Sequence, residues 1–408
     1  MKCRHCNTLL TLPMIDLGSA PPSNAYRSKQ QLNQPEKKYP LRVLVCQTCW
    51  LAQTEDFAQA NELFDADYAY FSSFSTTWLE HAKQYAHEMS VRFHVGPSSH
   101  VVEIAANDGY LLQYFKAANI PCTGVEPTAS TAAAARAKGI NIVQEFFGVA
   151  LARTLVAQGK QADLTAANNV LAHVPDINDF VAGFTVLLKP NGVATFEFPH
   201  LIRLMAENQF DTIYHEHFSY LSLTAVKRIF TANGLTVFDV EEYPTHGGSL
   251  RVFAQRTDTG SQPITDRVTQ LLLQEDTVGA RTEKYYSAFQ LRAKKVKDDF
   301  VAFLIDAKRQ GKSVAAYGAA AKGNTLMNFA AIGADLIQYV VDKNPAKQGK
   351  YMPGSQIPIV DPITLQEHRP DYLIILPWNI AKEVKEQNAP LAKLGTRFVT
   401  AVPKLEIG

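Results

Sequence analysis

The stretch Val101-Val102-Glu103-Ile104-Ala105-Ala106-Asn107-Asp108-Gly109 decides how the chain is read. Val101–Ala105 is short and largely apolar, which predicts a buried strand. It runs into a turn of small residues, and Gly109–Ala118 then reads as a helix. Cys122–Val125 predicts a second strand, Ala129–Lys138 an Ala-rich helix and Ile142–Val143 a weak third strand. Asp163–Ala167 predicts a fourth, Ile177–Leu188 a helix and Gly192–Phe198 a fifth strand. This βα alternation implies a mostly parallel sheet with helices on both faces. Strands at Leu235–Tyr243 and Ser249–Gln255 follow, around a turn at Thr245-His246-Gly247-Gly248.

Small residues after the first strand let a ligand approach the backbone, and the helix N-terminus offers free amides. Glu126 ends the second strand, 23 residues after Glu103, where an acid can accept both hydroxyls of a ribose. The spacing fits any Rossmann-like site, and the plain alternative is an ordinary βα turn. No GxGxxG is present, which argues against close pyrophosphate contact and favours S-adenosylmethionine over NAD.

Upstream, Cys3-Arg4-His5-Cys6 and Cys46-Gln47-Thr48-Cys49 are two CxxC knuckles. Two intervening residues let one tight turn aim both sulfurs at one ion, so Cys3, Cys6, Cys46 and Cys49 predict a closed, structural zinc site. Redox dithiols are the alternative. The 39 residues between the knuckles must form an inserted module, and its prolines predict a loop-rich one with a short strand at Tyr39–Val45. Cys122 reads as a small core residue. Asp67–Phe93 turns helical, with Trp78, His81 and Tyr85 at spacings of three and four.

Residues 264–310 are polar and helical, a connector. A second alternation follows: a strand at Ser313–Tyr317, a small-residue turn at Gly318–Gly323, a helix at Thr325–Ala331, a strand at Leu336–Val341 ending at Asp342, and a strand at Tyr372–Leu376. Gly318-Ala319-Ala320-Ala321-Lys322-Gly323-Asn324 resembles a phosphate-cradling turn without being a Walker A. Asp342 stands 24 residues after Gly318, so NAD would fit this unit in isolation. The fold class is α/β multidomain. A zinc module spans residues 1–66, a Rossmann-like domain 67–260, the helical connector 261–310 and a second Rossmann-like domain 311–408.

Tyr214-His215-Glu216-His217 is the densest titratable cluster. An extended backbone puts Tyr214 and Glu216 on one face and both histidines on the other; a helix puts His217 beside Tyr214. A second metal at the HxH pair, or a purely structural role, are the alternatives. Methylation of carbon needs a carbon nucleophile, and a carbon α to a ketone becomes one as its enolate. The parts required are a base near the α-hydrogen and a donor at the ketone oxygen. Histidine suits the first, with a neighbouring carboxylate to hold its tautomer, and tyrosine suits the second.

The chain resembles the sugar C-methyltransferases that act on nucleotide-linked keto-deoxysugars. The resemblance rests on Glu-Ile-Ala-Ala-Asn-Asp-Gly-Tyr-Leu-Leu from Glu103, Gly124-Val125-Glu126-Pro127, Asn168-Asn169-Val170-Leu171-Ala172-His173-Val174, Tyr214–Tyr220, Thr245–Arg251, Gly318–Asn324 and the four cysteines. It covers essentially the whole chain. Ala105-Ala106 departs from the Gly-Ser more usual there. The resemblance implies S-adenosylmethionine as cofactor, with S-adenosylhomocysteine as product, beside structural Zn2+. It implies cofactor contacts from Glu103, Asn107, Asp108, Gly109, Glu126, Pro127, Asn168, Asn169 and His173. His217 is implied as base, with Glu216, Tyr214 and Tyr68 beside it. The substrate implied is a dTDP-linked keto-deoxysugar methylated at C3, α to a C4 ketone. It would be held by His200, His246, Gly247, Gly248, Ser249, Lys322, Asn324 and Trp378, the last either stacking on a base or packing in the core. An NAD-dependent sugar-nucleotide oxidoreductase and a non-catalytic zinc- and nucleotide-binding adaptor are the rival readings.

The 408 residues fit two or three domains at about 150 each. Forty basic residues against thirty-nine acidic ones give a net charge of +1, which predicts neither a nucleic-acid nor a membrane partner. No apolar leader follows Met1-Lys2-Cys3, so a cytoplasmic monomer is expected. Cys46→Ser is expected to abolish stoichiometric zinc and lower soluble yield, measured by metal analysis of the purified protein.

Overall fold

A computed structural model of the chain describes residues 1–57 and 71–408. Strands β1 (Leu12–Ala20), β2 (Tyr39–Val45) and β3 (Ala52–Thr54) form an antiparallel sheet in the zinc module. The expectation of a loop-rich module is therefore corrected. Strand β1 was hidden by Pro13, which an edge strand tolerates because its N–H side needs no partner. Two register shifts against β2 further blur its alternation.

The central sheet contains β4 (Val101–Ile104), β5 (Cys122–Val125), β6 (Ile142–Val143), β7 (Ala162–Asn168) and β8 (Leu188–Pro199). Strand β9 (Ser219–Tyr220) leaves it to pair with β3 in the zinc module, and β10 (Leu235–Tyr243) and β11 (Ser249–Arg256) complete it. Its order is β10-β11-β8-β7-β4-β5-β6, parallel from β8 to β6, with β11 antiparallel to both neighbours. The order reverses between β4 and β7, so their C-terminal ends open the crevice where α/β sheets bind ligands.

The second Rossmann-like unit holds β12 (Val314–Tyr317), β13 (Val340–Val341), β14 (Ile359–Val360), β15 (Tyr372–Ile375), β16 (Arg397–Thr400) and β17 (Glu406–Ile407). Their order is β14-β13-β12-β15-β16-β17, and β17 alone is antiparallel. The expected strand at 336–341 contracts to its last two residues, and the helix after the Gly-rich turn starts earlier, at Ala321. The long helix Phe289–Arg309 joins this unit to the zinc-module sheet through one apolar core containing Leu41, Val43, Phe289, Phe300 and Ile374.

One polar pair is sealed inside the central sheet. Glu197 on β8 lies opposite Arg251 on β11, and the two are 0% and 1% exposed. Arg251 Nη2 donates to Glu197 Oε2 at 2.8 Å and Nη1 to the Tyr243 hydroxyl at 2.7 Å. His81, on the helix Thr76–Arg92, approaches the same carboxylate at 2.9 Å. Burial pushes the Glu197 pKa up, but His81 and Arg251 outweigh it and hold the group at about 2. Removing one member of such a pair strands the other without solvent. Arg251→Met is expected to destabilise the protein by about 3–5 kcal/mol in chemical denaturation.

Candidate active site

The turn after β4 is tight: Ala105, Asn107 and Gly109 all have positive φ, at 59°, 48° and 77°. Ala105 thus adopts a left-handed conformation that costs an alanine about 1–2 kcal/mol. Glu126, at the end of β5, accepts the Asn107 amide through Oε2 and the Thr128 amide through Oε1, both at 2.9 Å. Both carboxylate oxygens of Glu103, one of Asp108, and the side-chain carbonyls of Asn168 and Asn169 are buried without hydrogen-bond partners. Every one of these orphaned atoms is an acceptor. They suit a ligand that brings donors and positive charge, as S-adenosylmethionine does with its ammonium, sulfonium and ribose hydroxyls. Burial, with the neighbouring Glu126 and Asp108 carboxyls adding to it and Tyr110 opposing, pushes the Glu103 carboxyl well above its ordinary range.

Trp78 forms a wall beside this crevice. Its ring lies 5.8 Å from Tyr110, 4.9 Å from His81 and 5.0 Å from His246. His246 is held at φ 55°, and its Nδ1 is buried without a partner. Burial, with Lys322 adding to it, pulls its pKa down to about 4. Gly247, at φ 92°, lets Trp378 approach: a Cβ there would sit 2.4 Å from the indole.

The segment 214–217 is neither strand nor helix but a turn, closed by the His217 amide donating to the Tyr214 carbonyl at 2.9 Å. The Tyr214 and His217 rings come within 4.0 Å and those of His173 and His217 within 4.6 Å. His215 points away, toward the Tyr39 carbonyl at 3.3 Å. The four cysteines form the one metal-competent cluster among the described residues, so the HxH pair makes none. His217 Nδ1 faces the Thr212 carbonyl at 2.9 Å. A carbonyl only accepts, so Nδ1 carries the proton and Nε2 presents a lone pair. The expected carboxylate partner is therefore corrected: Thr212, not Glu216, sets the tautomer. Burial, reinforced by His173, drives the His217 pKa well down, and burial alone takes His173 to about 4. Both rings are neutral at pH 7. Burial pushes Glu216 up to about 7, against the pull of its own amide and of Asn24.

Other predicted residues fall elsewhere. His200 pairs with Glu275 at 2.8 Å inside the core. Asn324 is buried and donates to the Ser23 carbonyl, a link between modules, while its Oδ1 has no hydrogen-bond partner. In the Gly-rich turn, the Ala319 amide already donates to Asp342 at 2.7 Å, so that loop is closed on itself. Ser249 bonds back to Thr245 at 3.0 Å. Trp378 donates to Asp211 at 2.7 Å, which makes it a packing residue between units. Lys322 reaches Asn379 at 2.7 Å over the Trp378 ring, and burial lowers its pKa. Tyr68 lies outside the described residues. Sequence reasoning missed Glu197, Arg251, Asp211 and Asn24 as site neighbours. Only Glu197 carried a signal, as an acid inside the apolar run Phe196-Glu197-Phe198.

The four cysteine sulfurs lie within 4.8 Å of one another, with Cys3–Cys49 at 3.5 Å and Cys6–Cys46 at 3.4 Å. Zn–S bonds of about 2.3 Å place tetrahedral sulfurs about 3.8 Å apart, so the shell fits zinc. Asn7 and Trp50, each just past a knuckle, share a positive φ of 61° and 62°. The two knuckles thus fold alike.

Fold and site together define a Rossmann-like methyltransferase with an N-terminal zinc module. Family models match as a zinc binding domain over residues 3–64, a methyltransferase domain over 78–240 and a C-methyltransferase C-terminal domain over 244–403. The chain is 32% identical over 403 residues to the C-methyltransferase NovU of Streptomyces niveus, covering 99% of this chain and 96% of that one. It belongs to this family of S-adenosylmethionine-dependent C-methyltransferases, which sets aside the oxidoreductase and adaptor readings. Solved structures similar in part include the Synechocystis magnesium protoporphyrin IX methyltransferase, at 12% identity and TM-score 0.36, covering 44% of this chain and 83% of that one. The glycopeptide N-methyltransferase MtfA aligns at 16% identity and TM-score 0.34, over 43% and 96%. No helix among the described residues is long and apolar enough to cross a membrane.

Glu126→Ala is expected to weaken S-adenosylmethionine by about 1.5–3 kcal/mol, the range for hydrogen bonds to a charged group. Titration calorimetry checks it; an unchanged affinity would place the ribose elsewhere.

Proposed function

We propose that the enzyme methylates a dTDP-linked keto-deoxysugar at C3, α to a C4 ketone. The observation that carries this reading is the His217 tautomer: a buried, neutral imidazole whose Nε2 lone pair is fixed by the Thr212 carbonyl. Such a group can take an α-proton from a sugar carbon. Burial that keeps it neutral also makes it a base only while substrate fills the cleft, since the imidazolium needs the nascent enolate beside it. Tyr214, its ring tilted against that of His217, supplies a hydroxyl for the enolate oxygen, and the Lys322 ammonium adds positive potential from the opposite unit.

S-Adenosylmethionine, when bound, supplies an electrophilic methyl group. Glu103, Asn168 and Asn169 would offer it acceptors, and Glu126, at the end of β5, would accept its ribose hydroxyls. His217 Nε2 would keep the proton taken from the α-carbon, and the negative charge left on that carbon would be cancelled by the positive charge that the bound methyl donor gives up. The second Rossmann-like unit would hold the nucleotide, with His246, Gly247 and Gly248 at the seam between units. Tyr68 is kept as a further active-site tyrosine on the family resemblance alone.

Two measurements test this. Incubation with S-adenosylmethionine and a panel of dTDP-4-keto sugars is expected to add one methylene unit by mass spectrometry. With S-adenosylhomocysteine in place of the donor, the native enzyme should exchange the α-hydrogen with deuterated solvent. His217→Ala should slow that exchange at least about 100-fold. A variant that exchanges at the native rate excludes His217 as the base.

A further inference from the structure

Between β1 and β2, the segment Pro21–Arg27 leaves the zinc module and passes between the turn 214–217 and the second Rossmann-like unit. Asn324 grips the Ser23 carbonyl, and the Tyr26 hydroxyl donates to the Ala319 carbonyl. Between these anchors, Asn24 Nδ2 donates to Glu216 Oε1 at 3.1 Å, and the Asn24 main-chain amide also points at this carboxyl. A carboxylate oxygen accepts, which sets the Asn24 amide with its nitrogen toward Glu216, and the Tyr26 hydroxyl, its proton given to Ala319, lies 3.4 Å from Asn24 Oδ1. Glu216 is 1% exposed, and its other oxygen, Oε2, is buried without a hydrogen-bond partner.

An amide N–H can donate only to an oxygen that bears no proton on the shared lone pair. The oxygen that Asn24 holds is therefore guarded, and the carboxyl's proton comes and goes at Oε2. Among the described residues, the other titratable groups facing Glu216 are the hydroxyls of Tyr26, from the inserted segment, and Tyr220, from β9. His173 binds the Glu216 main-chain carbonyl at 2.8 Å and not its carboxylate. We infer that Asn24, contributed by the zinc-binding module, is a positioning residue for Glu216 that confines its proton traffic to Oε2 and holds the carboxyl in its ionisable state. This rests on the proposed C-methyltransferase site, in which Glu216 stands beside the base.

A hydrogen bond to a carboxylate favours the charged form, so its loss must raise the pKa. Carboxyl titration of the zinc-loaded full chain, followed by carbon-13 NMR and assigned by difference against Glu216→Gln, reads this directly. In Asn24→Ala the Glu216 midpoint should rise by about one pH unit. Asn24→Asp, which faces it with a second acid, should raise it further. Zinc content and S-adenosylmethionine affinity should stay native in both. The pH profile of α-hydrogen exchange should follow the same displacement. A Glu216 midpoint that stays in place in a folded, zinc-replete Asn24→Ala overturns the inference. A midpoint that moves while the exchange profile does not overturns the part Glu216 plays in turnover, and an enzyme that exchanges no keto-sugar refutes the substrate reading while the midpoint still decides the role of Asn24.

Discussion

The turn that carries the candidate base hangs on strand β3. Its backbone pairs with β2 on one side and β9 on the other, and its last residue, Thr54, donates from its hydroxyl to the His217 carbonyl and from its amide to the Phe218 carbonyl, both at 3.1 Å. Gln53, fully buried, donates to Cys3 Sγ at 3.3 Å and accepts from the Arg4 amide at 2.9 Å. One short strand therefore touches the zinc shell through the Gln53 side chain and the main chain of the candidate base through the Thr54 hydroxyl. Zinc is usually read as a staple for a module too small to hold itself. Here the stapled sheet is also the wall to which the reactive segment is fastened.

Electrostatics in the cleft follow from burial more than from pairing. His173, His217 and His246 are all driven toward the neutral form because water is excluded, and Glu216 is driven toward protonation for the same reason. By contrast, the charges of Glu197 and Arg251 are kept, because each has the other directly across the ladder. The site thus sets a structural ion pair behind one wall and uncharged, proton-ready groups in front.

Legibility tracked the distance over which each decision is made. Strands β5 and β10 stand at the bounds their residues suggested. Strand β9 has two residues and exists only because β3 lies beside it, which no local pattern encodes. Tyr214, Glu216 and His217 were legible by residue type. Their partners Thr212 and Asn24 were not, since one is a main-chain carbonyl and the other is 192 positions away from the glutamate it holds. Trp378 likewise showed its indole but not Asp211, the group that turns it into a joint between units.

The union of β3 with β9 also bears on how the chain is made. Thr54 and the carbonyl it holds are 163 residues apart, so the edge of the zinc-module sheet stays open while most of the central sheet is still being synthesised. An open edge is a template for pairing with another chain. During translation, at roughly 5–20 residues per second, that interval lasts about 8–30 seconds. The zinc module is thus closed only after most of the central sheet has been made, and the segment that closes it is the one that carries the candidate base.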